Sequence, residues 1–553
     1  MKKATIGKFW HWLKRRLDRD RQLRRIRQLA LQVRKLAPSP QGAPVAFFNA
    51  SSSLDDLSWN AAFHLLTLWA LRLKGVPVAI FACQRGMSHC VLGTSRLQPQ
   101  KPPPCRSCLR RARAMYATFP PLTNREGVFW FNFERAADLE AALQTLSVEQ
   151  MTHFTWEGIP LGALCLPALR WVLRRHHLQD DADTRYLYRE YILSAWNLAK
   201  NFRHFLDQVQ PRAVVVFNGQ FYPEAVARWV ALQLGIRVIT HEVGLQPASA
   251  FFTEGEATAY PIHIPPSFTL SEQQNARLDS YLSKRFRGDF SMAGIRFWPN
   301  MHRLDEAFLQ QAAQFRQIVA VFTNVTFDTS QPHANTVFDD MFEWLEVIRQ
   351  AIERHPETLF VIRAHPDELR PGKESQETVE SWVRSQQLHE RANVVFVPPK
   401  EYLSSYELIQ HSKFVAVYNS TIGLEASIMG KAVLCGGRAR FTQYPTVFFP
   451  QSPQAYQAKL EEFLQAESIE VPPEFRENAR RFLYYQLFRT SLPFAPFLRS
   501  AMTPSHARLK PFKPQDLLRS AAIQTILHGL LENGDFLLAE EMVESAFPSG
   551  AQG

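Results

Sequence analysis

Two long stretches of the sequence alternate short apolar runs with segments of helical periodicity, and this alternation limits the fold more than any other feature. Apolar runs of strand length lie at 43–50, 76–83, 127–133, 213–217 and 237–242, and then at 317–325, 359–366, 393–399, 414–421 and 431–437. Helical segments such as 59–75, 185–209 and 338–355 separate them. Strands that alternate with helices form parallel sheets, because a parallel connection needs a crossover segment. We therefore predict an α/β protein with two units of similar size, each built on its own parallel sheet.

The length of the chain requires more than one domain. At 553 residues it exceeds the roughly 250–300 residues at which a single hydrophobic core stops growing. The alternation predicts a first α/β domain at 40–255 and a second at 301–465. The Pro- and aromatic-rich segment 256–300 is the predicted connection, and 466–553 is predicted to form helices that pack back across the cleft between the domains.

The net charge of +11 is concentrated at the N-terminus. Residues 1–36 carry 13 Lys or Arg and 2 Asp or Glu, whereas the rest of the chain carries 50 of each sign. A neutral body argues against nucleic-acid binding, since such proteins usually carry a basic surface on the folded domain. The leader, residues 1–38, is predicted to be a basic amphipathic helix. Its aromatic residues Phe9, Trp10 and Trp12 favour attachment to an anionic membrane surface, and a helix docked on the body is the alternative.

The sequence predicts no membrane-spanning segment. No uncharged apolar run approaches the ~18 residues that a spanning helix needs, and no secretory signal follows the basic N-terminus. The hydrophobic and charged fractions, 46% and 21%, are ordinary for a globular protein. We expect a cytoplasmic protein that lies peripherally on the inner face of the plasma membrane.

Four of the six cysteines lie within 26 residues of one another. Cys83, Cys90, Cys105 and Cys108 follow the spacing C-x6-C-x14-C-x2-C. Structural disulfides are not expected in a chain without a secretion signal. Four thiolates that include a C-x-x-C pair can hold a structural zinc ion or an iron–sulfur cluster, and we predict that they converge in space. Four reduced cysteines with a packing role are the alternative.

Polar residues follow the carboxyl ends of strands in the second domain. Asn419, Ser420 and Thr421 end one apolar run and precede a helix that carries Gly423 and Glu425. In doubly wound sheets, ligands bind beyond the carboxyl ends of the strands. The start of a helix suits phosphate, Gly423 permits close approach of a ligand, and Glu425 can accept hydrogen bonds from ribose hydroxyls. Together these residues predict a nucleotide site, with simple helix capping as the alternative.

Two further strand ends carry similar clusters. Arg363, His365 and Glu368 follow one strand, and Asn324 and Asp328 follow another. Arginine and histidine at such a place can bind a phosphate and stabilise a leaving group. Helix capping explains one such cluster more easily than three. We therefore predict that these residues line one donor site.

These motifs resemble those of bacterial capsule and surface-polysaccharide biosynthesis proteins, glycosyltransferases of the GT-B fold. The segments "TNVTFDTS", "VIRAHPDE" and "YNSTIGLEASIMGKAV" occur in this order, and the resemblance spans about 315–460. It implies two Rossmann-like domains that face each other across a cleft, with a nucleotide-activated sugar on the second. It implies donor contacts by Arg363, His365, Ser420, Thr421 and Glu425. It also implies metal-independent transfer to a glycan or glycolipid acceptor.

A weaker resemblance in the first domain concerns the acceptor side. There a strand is followed by Asn218, a helix, and a second strand that ends in His241 and Glu242. An inverting transfer needs a general base beside the acceptor hydroxyl. We assign this role to Glu242, because it ends a strand that faces the expected cleft, with His365 as the second catalytic residue. His241, and Asp55 or Asp56, are further acceptor-side candidates.

Other functions are compatible with the same motifs. A nucleotide-activated polyol-phosphate transferase or a nucleotide-sugar 2-epimerase would share the fold and the phosphate contacts. A non-catalytic membrane-surface assembly protein would keep the fold and bind no nucleotide, but the three intact strand-end clusters argue against it.

Overall fold

A computed structural model describes residues 2–50, 56–288, 301–501 and 505–547 of the chain. The strands are β1 (Val45–Asn49), β2 (Val78–Cys83), β3 (Gly127–Phe131), β4 (Ala213–Phe217), β5 (Val238–Val243), β6 (Ser249–Glu254), β7 (Gln317–Phe322), β8 (Thr358–Arg363), β9 (Val394–Val397), β10 (Phe414–Val417), β11 (Ala432–Cys435), β12 (Leu492–Pro493), β13 (Leu498–Ser500) and β14 (Ala507–Leu509). The α-helices are α1 (Lys2–Leu36), α2 (Trp59–Leu73), α3 (Cys105–Met115), α4 (Ala137–Leu143), α5 (Val148–Thr152), α6 (Leu161–Leu173), α7 (Ala182–Val209), α8 (Glu224–Gln233), α9 (Glu272–Phe286), α10 (Glu306–Ala312), α11 (Gln331–Ala334), α12 (Met341–Arg354), α13 (Val379–Ser385), α14 (Ser405–His411), α15 (Ile422–Ile428), α16 (Pro453–Gln465), α17 (Pro473–Tyr484), α18 (Ala521–Glu532) and α19 (Glu540–Ala546).

The first sheet has seven strands in the order β12-β6-β5-β4-β1-β2-β3. Its strands β3, β2, β1, β4 and β5 are parallel, and Val45 of β1 pairs with Val78 of β2 and with Ala213 of β4. The chain runs from β1 to β2 and β3 on one side, and then returns to β4 on the other side of β1. Such a reversal of strand order opens a crevice beyond the carboxyl ends of the two central strands.

The second sheet has five parallel strands in the order β11-β10-β7-β8-β9. Val319 of β7 pairs with Phe360 of β8 on one side and with Phe414 of β10 on the other. The strand order therefore reverses between β7 and β10, as it does between β1 and β4 in the first sheet. The predicted fold class, α/β with two Rossmann-like domains, is confirmed.

Both sheets are buried on their two faces, which is why their strands form continuous apolar runs in the sequence. Every residue of β1 and of β8 is buried. Val45 and Phe47 of β1 belong to the apolar cluster that contains α2, whereas Ala46 and Phe48 belong to the cluster that contains α7. This alternation follows from strand geometry, in which successive side chains point to opposite faces.

The C-terminal segment returns from the second domain to the first. α17 packs against α15 of the second domain, and α18 packs against α2 of the first. Between these helices, β12 pairs antiparallel with β6, with Leu492 opposite Ala250. The sequence reasoning expected helix here to the end and missed β12, β13 and β14. Strands of two or three residues are too short to produce a recognisable period of two.

The basic leader forms α1, and the later part of this helix is docked on the body. Ile26, Leu29 and Val33 are buried, and α1 contacts α2 and α3. The guanidinium of Arg508 donates to Asp18 Oδ2 at 2.7 Å, so Asp18 belongs to the docked part. None of the helices in the described part of the chain is both long enough and apolar enough to cross a membrane.

Candidate functional site: an interdomain cleft

A cavity of about 360 Å³ lies between the two domains, beyond the carboxyl ends of strands of the second sheet. The segments that follow β7, β8, β10 and β11 supply most of its wall. The first domain contributes Trp171 and Arg174 at the end of α6, and the segment after β6 contributes Thr258 and Ala259. The cavity is therefore an interdomain cleft at the switch point of a doubly wound sheet, where such sheets bind ligands.

Side chains that follow β7 and β10 meet across the switch point. The backbone N–H of Asn419 donates to Asn324 Oδ1, and Asn419 Nδ2 donates to Ser330 Oγ, both at 3.3 Å. Ser330 Oγ in turn donates to Asp328 Oδ2 at 3.0 Å. Asn419 Oδ1 is buried and has no hydrogen-bond partner within the described chain, so it offers an acceptor to a ligand or a water. The clusters predicted from these two strand ends thus lie together in one wall of the cleft.

Cationic side chains dominate the wall of the cleft. The Arg and Lys residues that line it are Arg174, Arg285, Arg363, Arg370, Lys373, Arg438 and Arg440, and the Asp and Glu residues are Asp328, Asp367 and Glu425. Aromatic rings hold two of the cations in place. The guanidinium of Arg440 lies 3.9 Å from the ring centroid of Tyr260, and that of Arg174 lies 4.0 Å from the ring of Trp171. A wall of this charge is suited to an anionic ligand such as a diphosphate.

Arg363 and His365 continue from β8 into the wall of the cleft. Arg363 Nη1 donates to the carbonyl oxygen of Leu403 at 2.5 Å, and burial lowers the pKa of Arg363 to about 10, so it is still charged at neutral pH. His365 Nδ1 accepts the backbone N–H of Asp367 at 3.1 Å. Burial also lowers the pKa of His365. A neutral imidazole that accepts at Nδ1 carries its proton on Nε2, so His365 is a neutral N–H donor.

Glu425 has a structural task that the sequence did not predict. Its Oε1 accepts from Arg285 Nε at 2.5 Å, and its Oε2 accepts from the hydroxyl of Tyr406 at 2.6 Å. The residue is only 4% exposed. Both carboxylate oxygens are therefore engaged within the protein. Glu425 ties α9 to α15, and the ribose contact expected from the sequence is replaced by this ion pair.

Ser420 and Thr421 line the cleft, but Gly423 does not appear among the described residues of its wall. The side chain of Thr421 does not cap α15, so capping does not account for it. A Cβ atom at position 423 would lie 3.0 Å from Val417 Cγ2 and 3.2 Å from Phe441 Cζ. The predicted ligand contact of Gly423 is corrected accordingly: its missing side chain lets α15 pack closely on β10.

Glu368 faces the interior, although it was predicted to contact the donor. It is completely buried, and Oε1 accepts the backbone N–H of Val379 at 3.3 Å at the start of α13. Burial raises the pKa of Glu368 to about 8, so the carboxyl is mostly protonated at neutral pH. The prediction is corrected for a geometric reason. The helical turn Pro366–Leu369 rotates Glu368 away from the side of the chain that carries His365.

Glu242 lies near the end of β5 and is not one of the described residues that line the cleft. Asn218 Nδ2 donates to Glu242 Oε1 at 2.5 Å, and the backbone N–H of Val243 donates to Oε2 at 3.2 Å. Burial raises the pKa of Glu242 to about 7, although these two hydrogen bonds favour the ionised form. Two residues of the cleft wall, Arg440 and Asp328, are close enough for their charges to act on the same carboxyl. A carboxyl with a pKa near neutrality is suited to take up a proton.

A chain of hydrogen bonds connects Asn218 with the second domain. Asn218 Oδ1 accepts the backbone N–H of Gln220 at 2.9 Å, and Gln220 Nε2 donates to Glu256 Oε2 at 2.7 Å. The same carboxylate oxygen lies 3.1 Å from His333 Nδ1. His333 Nε2 lies 2.7 Å from the hydroxyl of Thr258, and both residues line the cleft. The side chain that orients Glu242 is thus itself held by the interdomain contact.

His241 is a core residue and not an acceptor contact. It is fully buried, with its ring centroid 4.5 Å from that of His64 and 4.9 Å from that of Phe252. Burial holds the pKa of His241 well below its usual value, so the ring is neutral. The acceptor-side prediction for His241 is wrong. It neighbours Glu242 in sequence, but adjacent residues of a strand point to opposite faces.

The acids of the segment after β1 were further acceptor-side candidates. Asp55 lies outside the described residues. Its neighbour Asp56 accepts from the backbone N–H of Leu57 at 2.9 Å and from Arg508 Nη2 at 2.6 Å. Asp56 therefore fastens the C-terminal segment to the start of α2 and is not a base in the cleft.

The four clustered cysteines line one small cavity. Cys83 ends β2, Cys105 and Cys108 lie in the first turn of α3, and Cys90 lies in the loop between these elements. The four side chains are therefore neighbours in the fold, and their binding of a metal stays a prediction. This cavity lies at the carboxyl end of the first sheet, where Ala50 after β1 also contributes to its wall.

A histidine pair joins the two domains. His177 Nδ1 lies 2.7 Å from Glu377 Oε1, and His177 Nε2 lies 3.1 Å from Asp340 Oδ2. Hydrogen bonds to Asp340 and Glu377 raise the pKa of His177 to about 10. His176, His177 and Asp340 are the only three metal-ligating side chains of the described residues whose ligand atoms all lie within 4.8 Å of one another. Protonated His177 lies between the carboxylates of Asp340 and Glu377, and this arrangement accounts for the group without a metal ion.

The sequence reasoning missed several cations of the cleft. Arg438 and Arg440 follow β11 in the segment "GGRAR", which is a fourth strand end of the same sheet. Like the other three clusters, they follow the carboxyl end of a strand, so the same pattern predicts them. Arg174 and Arg285 come from the first domain and from the connection. No local pattern marks these two residues, since only the tertiary fold brings them to the cleft.

Sequence comparisons cover the second domain best. The family described as "Capsule polysaccharide biosynthesis protein" matches residues 300–447, which include every segment of the second-domain wall. Protein FixF of Sinorhizobium fredii is 32% identical over 229 residues, which are 40% of this chain and 48% of FixF. The chain thus spans about half the length of that curated relative.

Structural comparisons give several distant neighbours. Two structures of Thermosulfurimonas dismutans KpsC, its β-Kdo 2,4 transferase and its β-Kdo 2,7 transferase, are 13% and 14% identical, with TM-scores of 0.34 and 0.33. They cover 51% and 58% of this chain, and 80% and 87% of the KpsC chains. A UDP-GlcNAc 2-epimerase from Neisseria meningitidis, solved with UDP-GlcNAc, is 13% identical, covers 80% of this chain and 98% of its own, and has a TM-score of 0.25. These scores are too low to carry a functional assignment.

Proposed function

We propose that this chain is a glycosyltransferase of the capsule polysaccharide biosynthesis protein family, whose model matches residues 300–447. In this proposal it moves a sugar from a nucleotide-activated donor to a surface or capsular polysaccharide or to a glycolipid. The observation that carries the proposal is the cationic interdomain cleft at the switch point of the second sheet. A nucleotide-linked sugar is anionic at its phosphates and rich in hydroxyls elsewhere. Cations, amides and hydroxyls in one wall fit both parts of such a molecule.

The second domain binds the donor in this proposal. Arg438 and Arg440 neutralise the phosphates, and the hydroxyls of Ser420 and Thr421 donate to phosphate oxygens. The Nε2–H group of His365 donates to the phosphate oxygen that leaves with the nucleotide. Donors fixed where negative charge develops stabilise the transition state, because they need no reorganisation during the reaction. We propose that these side chains supply that stabilisation without a metal ion.

The first domain activates the acceptor. Glu242 removes the proton from the attacking hydroxyl, while the bond between the sugar and the nucleotide breaks and its electron pair leaves with the phosphate. Asn218 holds the accepting carboxylate in place through the contact at 2.5 Å. Direct displacement of this kind inverts the configuration at the sugar carbon. The pKa near 7 supports the role, because about half of the carboxyl is then ionised at neutral pH.

A donor screen tests this proposal. The full chain is combined with CMP-, UDP-, GDP- and dTDP-linked sugars and followed by thermal unfolding and by isothermal titration. We expect one nucleotide class to bind at one site per chain and to raise the melting temperature, because a ligand of the folded state stabilises it by mass action. Failure of all four classes to bind would contradict the donor site.

We also propose that the residues ahead of Asp18 attach the enzyme to an anionic membrane surface. Phe9, Trp10 and Trp12 lie in this segment among Lys and Arg residues. Each Lys or Arg near an anionic surface contributes about 1 kcal/mol to attachment. The Arg508–Asp18 contact lies outside residues 2–17, so these residues can be removed without breaking it.

Deleting residues 2–17 should release the protein from liposomes that contain anionic lipid and leave nucleotide binding unchanged. A companion variant, Phe9→Ala/Trp10→Ala/Trp12→Ala, keeps every charge and should show intermediate binding, because only the apolar part of the attachment is lost. Co-sedimentation with liposomes measures both effects. Equal sedimentation of the deleted and the complete chain would contradict the attachment.

A further inference from the structure

We propose that Cys83, Cys90, Cys105 and Cys108 ligate an iron–sulfur cluster at a site separate from the transfer cleft. All four side chains line one cavity of about 30 Å³ in the first domain. None of them is among the described residues that line the interdomain cleft. Four cysteine thiolates are the usual ligand set of [2Fe–2S] and [4Fe–4S] clusters.

The fold brings the four thiols together from three elements. Cys83 is the last residue of β2, and Cys105 and Cys108 lie one turn apart at the start of α3. The loop that carries Cys90 closes on the segment before Cys105, and Gly93 makes this approach possible. A Cβ atom at Gly93 would lie 2.6 Å from Pro103 Cβ and 3.1 Å from Cys90 Sγ. Because position 93 has no side chain, the loop that carries Cys90 can approach the segment that precedes Cys105.

Contacts with α7 hold the loop that carries Cys90. The backbone N–H of Ser88 donates to Ser194 Oγ at 3.0 Å, and Asn197 Nδ2 donates to the carbonyl oxygen of Gly86 at 3.0 Å. Cys83 precedes Gly86 and Ser88 in the sequence, and Cys90 follows them. Both thiols are thus positioned by a packed helix, which is what a preorganised metal site requires.

The surroundings of the thiols suit a negatively charged cluster. The backbone N–H of Gly86 donates to Cys83 Sγ at 3.2 Å, and hydrogen bonds of this kind stabilise cluster sulfur ligands. Arg85 lines the same cavity. The helix α3 has 11 residues, and its positive end carries Cys105 and Cys108. Each of these features compensates negative charge on the four thiolates that form when the thiols lose their protons.

The spacing of the thiols favours a cluster over a single zinc ion. Zinc–sulfur bonds are about 2.3 Å long, so four thiolates around one zinc lie within about 4 Å of one another. Here no three of the four Sγ atoms lie within 4.8 Å of one another, since the one such group of ligands in the described chain contains no cysteine. In an iron–sulfur cluster, several iron atoms and sulfides stand between the thiolates, which are correspondingly farther apart.

Metal analysis of the full chain, purified without oxygen from cells supplied with iron, tests this proposal. We expect about two to four iron atoms and as many acid-labile sulfides per chain, with a broad visible absorption band. Cys83→Ser and Cys105→Ser should each lose most of the iron and the band. Cys165→Ala, which changes a buried cysteine of the α6 core, should keep both.

Three results would overturn the proposal. One zinc ion per chain without iron would show that the thiols form a zinc site. Wild-type protein that holds no metal, before or after anaerobic reconstitution with iron and sulfide, would show that they have a packing role. Retention of the full iron content by both serine variants would place the iron elsewhere. The first two results come from the wild-type chain, so they do not depend on whether the variants fold.

Discussion

Replacing Glu242 with Gln is expected to lower kcat for sugar transfer by about 10²–10⁴-fold, because an amide cannot take the proton of the acceptor hydroxyl. Donor affinity should be unchanged, since Glu242 acts on the acceptor in the proposed mechanism. Steady-state kinetics and titration with the donor measure the two effects separately. Glu254→Gln is the matched control, because Glu254 is an exposed acid on the neighbouring strand and should retain the wild-type kcat. A wild-type kcat for Glu242→Gln would exclude it as the base.

The same carboxyl determines how the reaction depends on pH. Burial raises the pKa of Glu242 to about 7, and only the ionised form accepts a proton. The value of kcat/KM should therefore rise with pH, reach half of its maximum near pH 7, and level off at higher pH. The hydrogen bond from Asn218 favours the ionised form, so Asn218→Ala should move this rise to higher pH. A profile that stays in place in Asn218→Ala would show that Asn218 does not act through Glu242.

Replacing Glu425 with Ala should lower the free energy of unfolding by about 3–5 kcal/mol, because it removes the negative charge that compensates the buried guanidinium of Arg285. The two side chains are 5% and 10% exposed and lie 2.5 Å apart, so solvent does little to screen them. Urea denaturation followed by circular dichroism measures the loss. The effect is large because the pair joins α9 of the connection to α15 of the second domain.

Two further variants separate the buried charge from lost packing. Glu380→Ala removes a carboxylate from the exposed pair with Arg384, and its effect should stay within about 0.5 kcal/mol. The double change Arg285→Met/Glu425→Leu leaves no charge to bury and should recover much of the stability lost in Glu425→Ala. Equal stability of Glu425→Ala and Glu380→Ala would contradict a structural role for the ion pair.

The two parallel sheets were predictable because buried strands are a local property of the sequence. Strands buried on two faces, such as β1 and β8, are continuous apolar runs. The residues at which such runs end are also local, and they led to Asn324, His365 and Asn419 in the wall of the cleft. Glu242 was predicted in the same way, from its place near the end of a strand, and its partner Asn218 directly follows the neighbouring strand.

Orientation and long-range contacts were not predictable from the same patterns. Gly423 and Glu368 belong to the predicted clusters but lie against the core, because successive residues of a helical turn point in different directions. The sequence pattern identified Glu425 as a residue of the site, but its partner Arg285 lies 140 positions away in the connection. The strand β12 adds to a sheet whose other strands precede it by more than 200 residues. Only the assembled fold places these residues.

Binding of a nucleotide-linked sugar in the interdomain cleft is the central claim, and titration of an arginine variant tests it most directly. The donor identified by the screen is titrated into wild-type protein and into Arg438→Ala/Arg440→Ala by isothermal calorimetry. We expect the Kd of the double variant to be about tenfold higher or more, because two cations of the phosphate wall are lost. Arg354→Ala, which removes an exposed arginine of α12 paired with Glu461, should bind like the wild type. Wild-type affinity in the double variant would contradict the claim that the cleft is the donor site.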